Sequence, residues 1–214
     1  LGMYVGSSTN EAVHHIAKEL ISNAIDEYIN GYGKKIIVDV NEAENSIKVR
    51  DFGRGVPHGK MDEVFTKTHS SGKIKGENNG AYVATGGLNG VGAKVATATG
   101  KLQVKSIRNG IAAFNWYHYE KMGSLTTEKT KDEDGTEVIW TPDKEVFTDS
   151  QINFQEIKQL LEMLAYISEG LEFVCNHFDT KTRFVISKNG IEDFLNDNIT
   201  EKDMLSPIMK FKCG

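Results

Sequence analysis

Four polar residues near the start of the chain have types and spacing that could support chemistry on a bound metal ion and a water molecule. His15, Glu19, Asn23 and Asp26 follow one another at intervals of three or four residues, which places them on one stripe of an α-helix. A carboxylate and a carboxamide one turn apart can activate a water and hold a metal beside it. The same spacing also suits a solvated helix face, so other motifs must discriminate between these interpretations.

A second candidate site is the loop Asp51-Phe52-Gly53-Arg54-Gly55-Val56-Pro57. Its aspartate ends a strand-like run, and the glycines two and four residues later leave only backbone opposite the carboxylate. Such a carboxylate can accept a hydrogen bond from the exocyclic amine of a flat heterocycle. The same pattern also forms ordinary turns.

A third candidate is the glycine-rich segment Gly86-Gly87-Leu88-Asn89-Gly90-Val91-Gly92, which leads into a helical run at 93–99. A glycine-rich loop that opens a helix presents free N–H groups and the positive end of the helix dipole, which suits phosphates. No Gly-Lys-Ser or Gly-Lys-Thr closes the segment, so it is not a P-loop. No strand runs directly into it, so it is not a Rossmann fingerprint.

Residues 69–89 lack the periodicity of a helix or a strand. This is typical of a functional lid or of a disordered segment.

The elements that must position these residues follow from hydrophobic periodicity. Residues 126–134 are polar and are predicted to form a mobile loop. The first predicted helix carries an apolar stripe for a core, formed by Val13, Ala17, Leu20, Ile21, Ala24 and Tyr28. Helices are predicted at 10–29, 60–67, 93–99, 154–168 and 191–196, and strands at 35–40, 47–50, 102–108, 111–119, 137–141, 171–176 and 183–187.

Composition limits the class of protein. The chain has 214 residues, enough for one substantial α/β domain. It lacks a long apolar run and a signal-like N-terminus, which predicts a cytoplasmic protein that is neither exported nor inserted in a membrane. The net charge of −5 gives no electrostatic footprint for nucleic acid, so any DNA would be held by another segment. The two cysteines, Cys175 and Cys213, lack metal or redox spacing.

Four motifs occur in order along the chain: Glu19-x-x-x-Asn23, Asp51-x-Gly53-x-Gly55, residues 86–92 and Gly135-Thr136. Together they resemble the GHKL ATPases, a superfamily that includes type II topoisomerase ATPase domains, heat-shock chaperones, mismatch-repair MutL and sensor histidine kinases. Residues 19–24 are similar to the chaperones. The loops 51–57 and 86–92, with Gly2-Met3-Tyr4-Val5-Gly6, instead resemble the gyrase B and topoisomerase IV family. Histidine kinases generally lack a glutamate at the position of Glu19, so the presence of Glu19 disfavours that branch of the superfamily.

The resemblance implies a role for individual residues of this sequence. Glu19 would be the general base, His15 would orient the attacking water, and Asn23 would be the protein's ligand to Mg²⁺. Asp51 would bind the adenine amine with support from Thr136. For His15, Lys73 and Arg108 an ordinary solvated role stays open. The remaining nucleotide-binding residues that the resemblance implies are Glu27 paired with Arg54, then Gly55, Pro57, Lys73, Tyr82, Gly87, Leu88, Asn89, Gly90, Val91, Gly92 and Arg108.

The implied fold is an α/β two-layer sandwich of the GHKL (Bergerat) type, with a mixed, largely antiparallel sheet and helices on one face. It would cover residues 1–200, with 201–214 as a tail that leads toward a transducer domain. The implied function is Mg²⁺-dependent ATP hydrolysis that powers DNA strand passage by a type IIA topoisomerase. The alternatives are an ATPase clamp of chaperone or MutL type and a nucleotide-binding module without turnover.

The resemblance also implies the partners. The full-length enzyme would be a homodimer that binds DNA through other domains and works with a cleavage and religation subunit or domain. The chain is expected to be a piece of that enzyme and to be monomeric by itself, with very slow turnover. Asn89 stands where bacterial enzymes usually have histidine, and the segment between Lys73 and Gly86 is longer than is typical. The sequence therefore does not decide which enzyme the chain belongs to: gyrase, topoisomerase IV, or a phage or divergent topoisomerase.

Overall fold

The computed structural model describes residues 10–66, 92–119, 121–148 and 150–198. A 3₁₀ turn at His58–Lys60 precedes the second helix. The helices are α1 (Asn10–Ile29), α2 (Met61–Thr66), α3 (Gly92–Thr99), α4 (Phe154–Ile167) and α5 (Ile191–Asn198). The strands are β1 (Lys35–Asn41), β2 (Ser46–Asp51), β3 (Gly100–Arg108), β4 (Ile111–His118), β5 (Lys121–Met122), β6 (Thr126–Lys129), β7 (Gly135–Pro142), β8 (Glu172–His177) and β9 (Thr182–Ile186).

Within the described ranges, nine strands form one mixed sheet in the order β5-β4-β3-β7-β2-β1-β8-β9, and β6 also pairs with β4. The pair β1 and β8 is parallel, with Val40 opposite His177. The other pairs are antiparallel. Strand β7 therefore lies between β2 and β3, although it follows both of them in the sequence. This insertion brings Gly135 and Thr136 next to the end of β2.

The core lies between the sheet and the long helices. Helix α1 packs on β2 and β7, α3 packs on β3, β4 and β7, and α4 packs on β8 and β9. Trp140 of β7 is fully buried, and its Nε1 donates a 2.9 Å hydrogen bond to the Ala96 carbonyl of α3. The predicted two-layer sandwich with helices over one face is confirmed. On the predicted α1 stripe, Tyr28 is partly buried against the core, and the other members are buried: Val13, Ala17, Leu20, Ile21 and Ala24.

The predicted helices and strands agree with the structure to within a few residues at their ends, but two short strands were not predicted. The prediction of a loop across 126–134 is wrong in part, because Thr126–Lys129 forms β6 and pairs with Ile111–Phe114 of β4. All four residues of β6 are exposed, so the strand has no apolar face that a period-two pattern could reveal. Strand β5, at Lys121–Met122, is equally exposed and was not predicted. Both strands cover the free edge of β4.

The described residues contain no helix that is long and apolar enough to cross a bilayer.

Candidate functional site

Asp51 is an acidic residue at a position where the strand otherwise buries aliphatic side chains. It shares its strand face with Ile47 and Val49, and only 7% of its surface is exposed. Its Oδ1 atom accepts hydrogen bonds from the backbone N–H of Gly53, at 2.8 Å, and of Thr136, at 3.0 Å. Among the described residues both donors use Oδ1, which leaves Oδ2 to accept a hydrogen bond from a ligand.

The surroundings of Asp51 shift its acidity. Burial raises the pKa of the carboxyl to about 6, although the hydrogen bonds from Gly53 and Thr136 and the charge of Arg50 act in the opposite direction. The side chain is therefore ionised at neutral pH but poorly hydrated. A charged acceptor in such surroundings forms strong hydrogen bonds with a donor that enters the site.

Glycines let the backbone close in around this carboxylate. A Cβ atom on Gly53 would lie 2.6 Å from Oε2 of Glu27, too close for a side chain. Gly55 has a φ of +68°, and a Cβ there would collide with the Ile107 carbonyl. Any larger residue would strain the loop or move it away from α1 and β3. The glycine spacing of the motif therefore follows from tertiary contacts.

Glu27 and Arg54 form the ion pair predicted from the sequence. Oε2 of Glu27 accepts from the Arg54 backbone N–H at 2.9 Å and from Nε at 3.1 Å, and Oε1 accepts from Nη2 at 2.8 Å. The Arg54 guanidinium also lies over the Tyr32 ring, 4.4 Å from its centroid. Burial acts to raise the pKa of Glu27, but the hydrogen bonds and charge of Arg54 outweigh it and lower that pKa overall. The pair fixes the loop to α1.

Strand β3 holds the other side of the same loop. Nη1 of Arg108 donates to the Gly55 carbonyl at 2.8 Å, and Oγ of Ser106 donates to the Val56 carbonyl at 2.7 Å. The carbonyl of Pro57 accepts from the Lys60 N–H at 2.8 Å and starts the 3₁₀ turn. Arg108 thus supports the loop directly. The alternative interpretation, an arginine that only contacts solvent, did not predict this contact.

Glu19, on the polar stripe of α1, lies against the beginning of α3. Glu19 is half-buried, whereas His15 and Asn23 are exposed. Gly92, the first residue of α3, lies directly against the Glu19 side chain. Because a helix N-terminus carries positive charge density and free N–H groups, Glu19 and α3 together suit a reaction at an anionic group.

The structure brings together around one loop the predicted residues Glu27, Asp51, Arg54, Gly55, Pro57, Arg108 and Thr136, and it places Glu19 against Gly92. His15 and Asn23 lie exposed on α1, so their roles stay predictions. The other predicted residues lie outside the described ranges, so their roles stay predictions. They are Lys73, Tyr82, Gly87, Leu88, Asn89, Gly90 and Val91.

Two contributors were missed by the sequence analysis. Arg50 is 8% exposed and donates to the carbonyls of Asp51, at 2.5 Å, and Glu133, at 2.6 Å. Tyr32 lies under Arg54. The adjacent position of Arg50 and Asp51 was the available signal for Arg50. No pattern in the sequence indicates the Tyr32 contact, because it depends on the path of the chain after α1.

Comparisons with known proteins identify the family of the chain. Residues 8–146 match the family described as histidine kinase-, DNA gyrase B-, and HSP90-like ATPase. The chain belongs to this ATPase family.

Within that family, the chain is similar to subunits of topoisomerases. The chain is 32% identical to the B subunit of DNA topoisomerase 4 from Enterococcus faecalis, over 98% of this chain and 32% of that protein. It is 36% identical to the B subunit of DNA gyrase from Streptococcus pyogenes serotype M3, over 80% of this chain and 27% of that protein. The chain is therefore homologous to the ATPase region of the B subunits of type IIA topoisomerases, and it spans about a third of the relatives' length.

A solved structure supports the same relationship. The crystal structure of the 43K ATPase domain of Thermus thermophilus gyrase B, in complex with an aminocoumarin, superposes with a TM-score of 0.79 at 27% identity. The match covers 96% of this chain and 54% of that one. The fold predicted from the motifs is thus the fold of a gyrase B ATPase domain.

Proposed function

We propose that this chain binds ATP with Mg²⁺ and hydrolyses it as the ATPase domain of a type IIA DNA topoisomerase. The observation that carries the proposal is the buried carboxylate of Asp51. Its Oδ1 is occupied by two backbone donors, and its Oδ2 suits the exocyclic amine of adenine. Guanine has a carbonyl oxygen at the corresponding ring position, so the carboxylate would repel it.

The adenine end of the site uses the loop 51–57 and the strands beside it. Asp51 accepts the hydrogen bond of the adenine amine, and the Thr136 hydroxyl supports that contact. The Glu27–Arg54 pair and Pro57 flank the ring, while Gly55 lets the loop pack closely against β3. Arg108 holds the Gly55 carbonyl and so acts as a positioning residue for this part of the loop.

The phosphate end uses α1 and the beginning of α3. Bound Mg²⁺ would neutralise phosphate charge, and Asn23 is the side chain that would hold it for the protein. The fit rests on the half-buried carboxylate of Glu19, which lies against Gly92 at the first residue of α3. Glu19 removes a proton from the attacking water, and His15 orients that water. Lys73, Tyr82 and residues 87–92 complete the nucleotide contacts.

The proposal includes the partners of the full-length enzyme. ATP turnover would power DNA strand passage in the cytoplasm, by a homodimer that grips DNA through other domains and acts with a cleavage and religation subunit or domain. We expect this chain by itself to be monomeric and to hydrolyse ATP slowly.

Calorimetry with Mg·ATP and Mg·GTP tests the binding step. We expect the chain to bind ATP at least about tenfold more tightly than GTP, since GTP places an acceptor against a charged acceptor. Equal affinities would refute the adenine assignment. ATPase, supercoiling and decatenation assays on the full-length enzyme test the rest. Turnover without DNA stimulation would favour a chaperone or MutL-type clamp, and binding without turnover would indicate a nucleotide-binding module.

A further inference from the structure

A group of three metal-ligating side chains lies at the other end of β1 from Asp51. Glu42 follows β1, His177 ends β8, and Asp179 lies in the turn between β8 and β9. One ligand atom from each lies within 4.8 Å of the other two. Ile36 is opposite Asp51, and Val40 is opposite His177, and these two β1 residues are about 13 Å apart along the strand. The group is therefore separate from the nucleotide site.

Two distances within this group are close to those in the coordination shell of a small transition metal. Nε2 of His177 lies 3.1 Å from Oε2 of Glu42 and 3.5 Å from Oδ2 of Asp179. A tetrahedral zinc ion with bonds of about 2.0–2.2 Å holds its ligand atoms about 3.3–3.6 Å apart. One nitrogen and two carboxylate oxygens form a ligand set that zinc accepts, whereas Mg²⁺ and Ca²⁺ prefer oxygen alone.

Hydrogen bonds orient all three side chains. Oδ2 of Asp179 accepts from the Glu42 backbone N–H at 2.8 Å and keeps a second lone pair, and a metal ion would replace the hydrogen bond between Nε2 of His177 and Oε2 of Glu42. Oε1 of Glu42 accepts from the Phe154 N–H at 2.8 Å, which directs Oε2 toward the group. Nδ1 of His177 lies 2.8 Å from the Thr180 hydroxyl, the kind of outer contact that metal-bound histidines make. The His177 ring also stacks on Phe154, with 4.5 Å between centroids and 12° between planes. The three side chains are therefore held in place before a metal binds.

The charge of the group favours a cation. Two carboxylates converge, and within the described residues their ion-pair partner is His177. Their side chains are partly open to solvent, with exposed fractions of 36% for Glu42 and 29% for Asp179, so an ion can enter. We propose that Glu42, His177 and Asp179 form a zinc site that ties the β1–β2 turn, the β8–β9 turn and the N-terminus of α4 together.

Zinc titration of the 214-residue chain without nucleotide tests this proposal. Calorimetry should show one zinc ion per chain that is lost with His177→Gln, and thermal melting should show a rise in Tm with ZnCl₂ and none with MgCl₂ at the same concentration. His118→Gln is the matched control, because that imidazole faces a single carboxylate, Asp143, at 3.1 Å. Thr180→Val should weaken zinc binding by about tenfold, since it removes only the outer hydrogen bond.

Two further measurements keep the test decisive if His177→Gln does not fold. Asp179→Asn should also remove the zinc-dependent rise in Tm, and Co²⁺ bound to the unmodified chain should show the intense visible absorption of tetrahedral coordination. Absence of any zinc-dependent rise in Tm would overturn the proposal. Equal zinc affinity in the unmodified chain and in either ligand variant would overturn it too.

Discussion

Gly92 lies so close to Glu19 that a Cβ atom on Gly92 would be 2.7 Å from the Glu19 Cβ and 2.8 Å from its Oε2. Non-bonded carbon atoms prefer about 3.5–4.0 Å. The first residue of α3 thus limits where the Glu19 side chain can go. If Glu19 is the general base, as proposed, this restriction would position its carboxylate relative to the attacking water.

Gly92→Ala is expected to displace the Glu19 carboxylate and slow ATP hydrolysis by up to about 100-fold, since a shift of about 1 Å can have this effect. Phosphate release measured in the full-length enzyme provides the readout. Gly59→Ala is the matched control, because a Cβ on Gly59 meets nothing within 4 Å. Equal rates for the two variants would show that the contact does not position Glu19.

Glu19→Gln should bind Mg·ATP with little change in affinity and hydrolyse it about 10²–10⁴-fold more slowly, because a general base acts in the transition state. Calorimetry and phosphate release separate the two effects. Glu11→Gln, on the exposed first turn of the same helix, should turn over normally. Normal turnover by Glu19→Gln would remove this residue from the role of base.

Asp51→Asn keeps an oxygen for the Gly53 and Thr136 amides but presents an N–H₂ group to the ligand. Adenine nucleotide affinity should fall by about 10- to 150-fold, the effect of losing a charged acceptor worth about 1.5–3 kcal/mol. Calorimetry measures this change, and circular dichroism checks that the fold persists. Retained ATP affinity in a folded variant would place the adenine elsewhere.

The acidity of Asp51 predicts a pH dependence of stability. Its folded pKa of about 6 lies above the ordinary value of 3.8, so the folded state binds a proton more readily than the unfolded state. The contribution of Asp51 to the free energy of unfolding should therefore increase as the pH falls from 7 to about 4. Urea denaturation at pH 7 and pH 5 tests this: relative to Asp51→Asn, the unmodified chain should gain stability at pH 5. A constant difference would mean that Asp51 is not perturbed by burial.

Arg54→Ala should reduce the free energy of unfolding by about 1.5–3 kcal/mol, because it leaves the Glu27 carboxylate without its charged donor in a partly buried place. The control is Lys60→Ala, which breaks a more exposed pair with Glu63 at 3.4 Å and should cost at most about 1 kcal/mol. Urea denaturation compares the two. Equal effects would show that Glu27–Arg54 behaves as a surface pair.

The sequence predicted the parts of the site that depend on local spacing. Asp51 and its glycines lie within one loop, and the Glu27–Arg54 pair was expected from the family pattern. Strand β6 could not be predicted, because its exposed residues carry no apolar period. The Tyr32–Arg54 contact depends on tertiary structure. The Glu42, His177 and Asp179 group combines positions far apart in the sequence, which only the parallel pairing of β1 and β8 brings together.

The position of β7 between β2 and β3 has a consequence for folding kinetics. The hydrogen bond from Thr136 to Asp51 joins residues 85 positions apart, and it can form only after β7 has inserted beside β2. Contacts of such sequence separation form slowly, because a long loop must close first. A nucleotide that binds at Asp51 would therefore bind molecules in which β2, β7 and β3 are already paired, and it would stabilise that paired state. Amide hydrogen exchange in β2, β3 and β7 should then slow together when nucleotide is added.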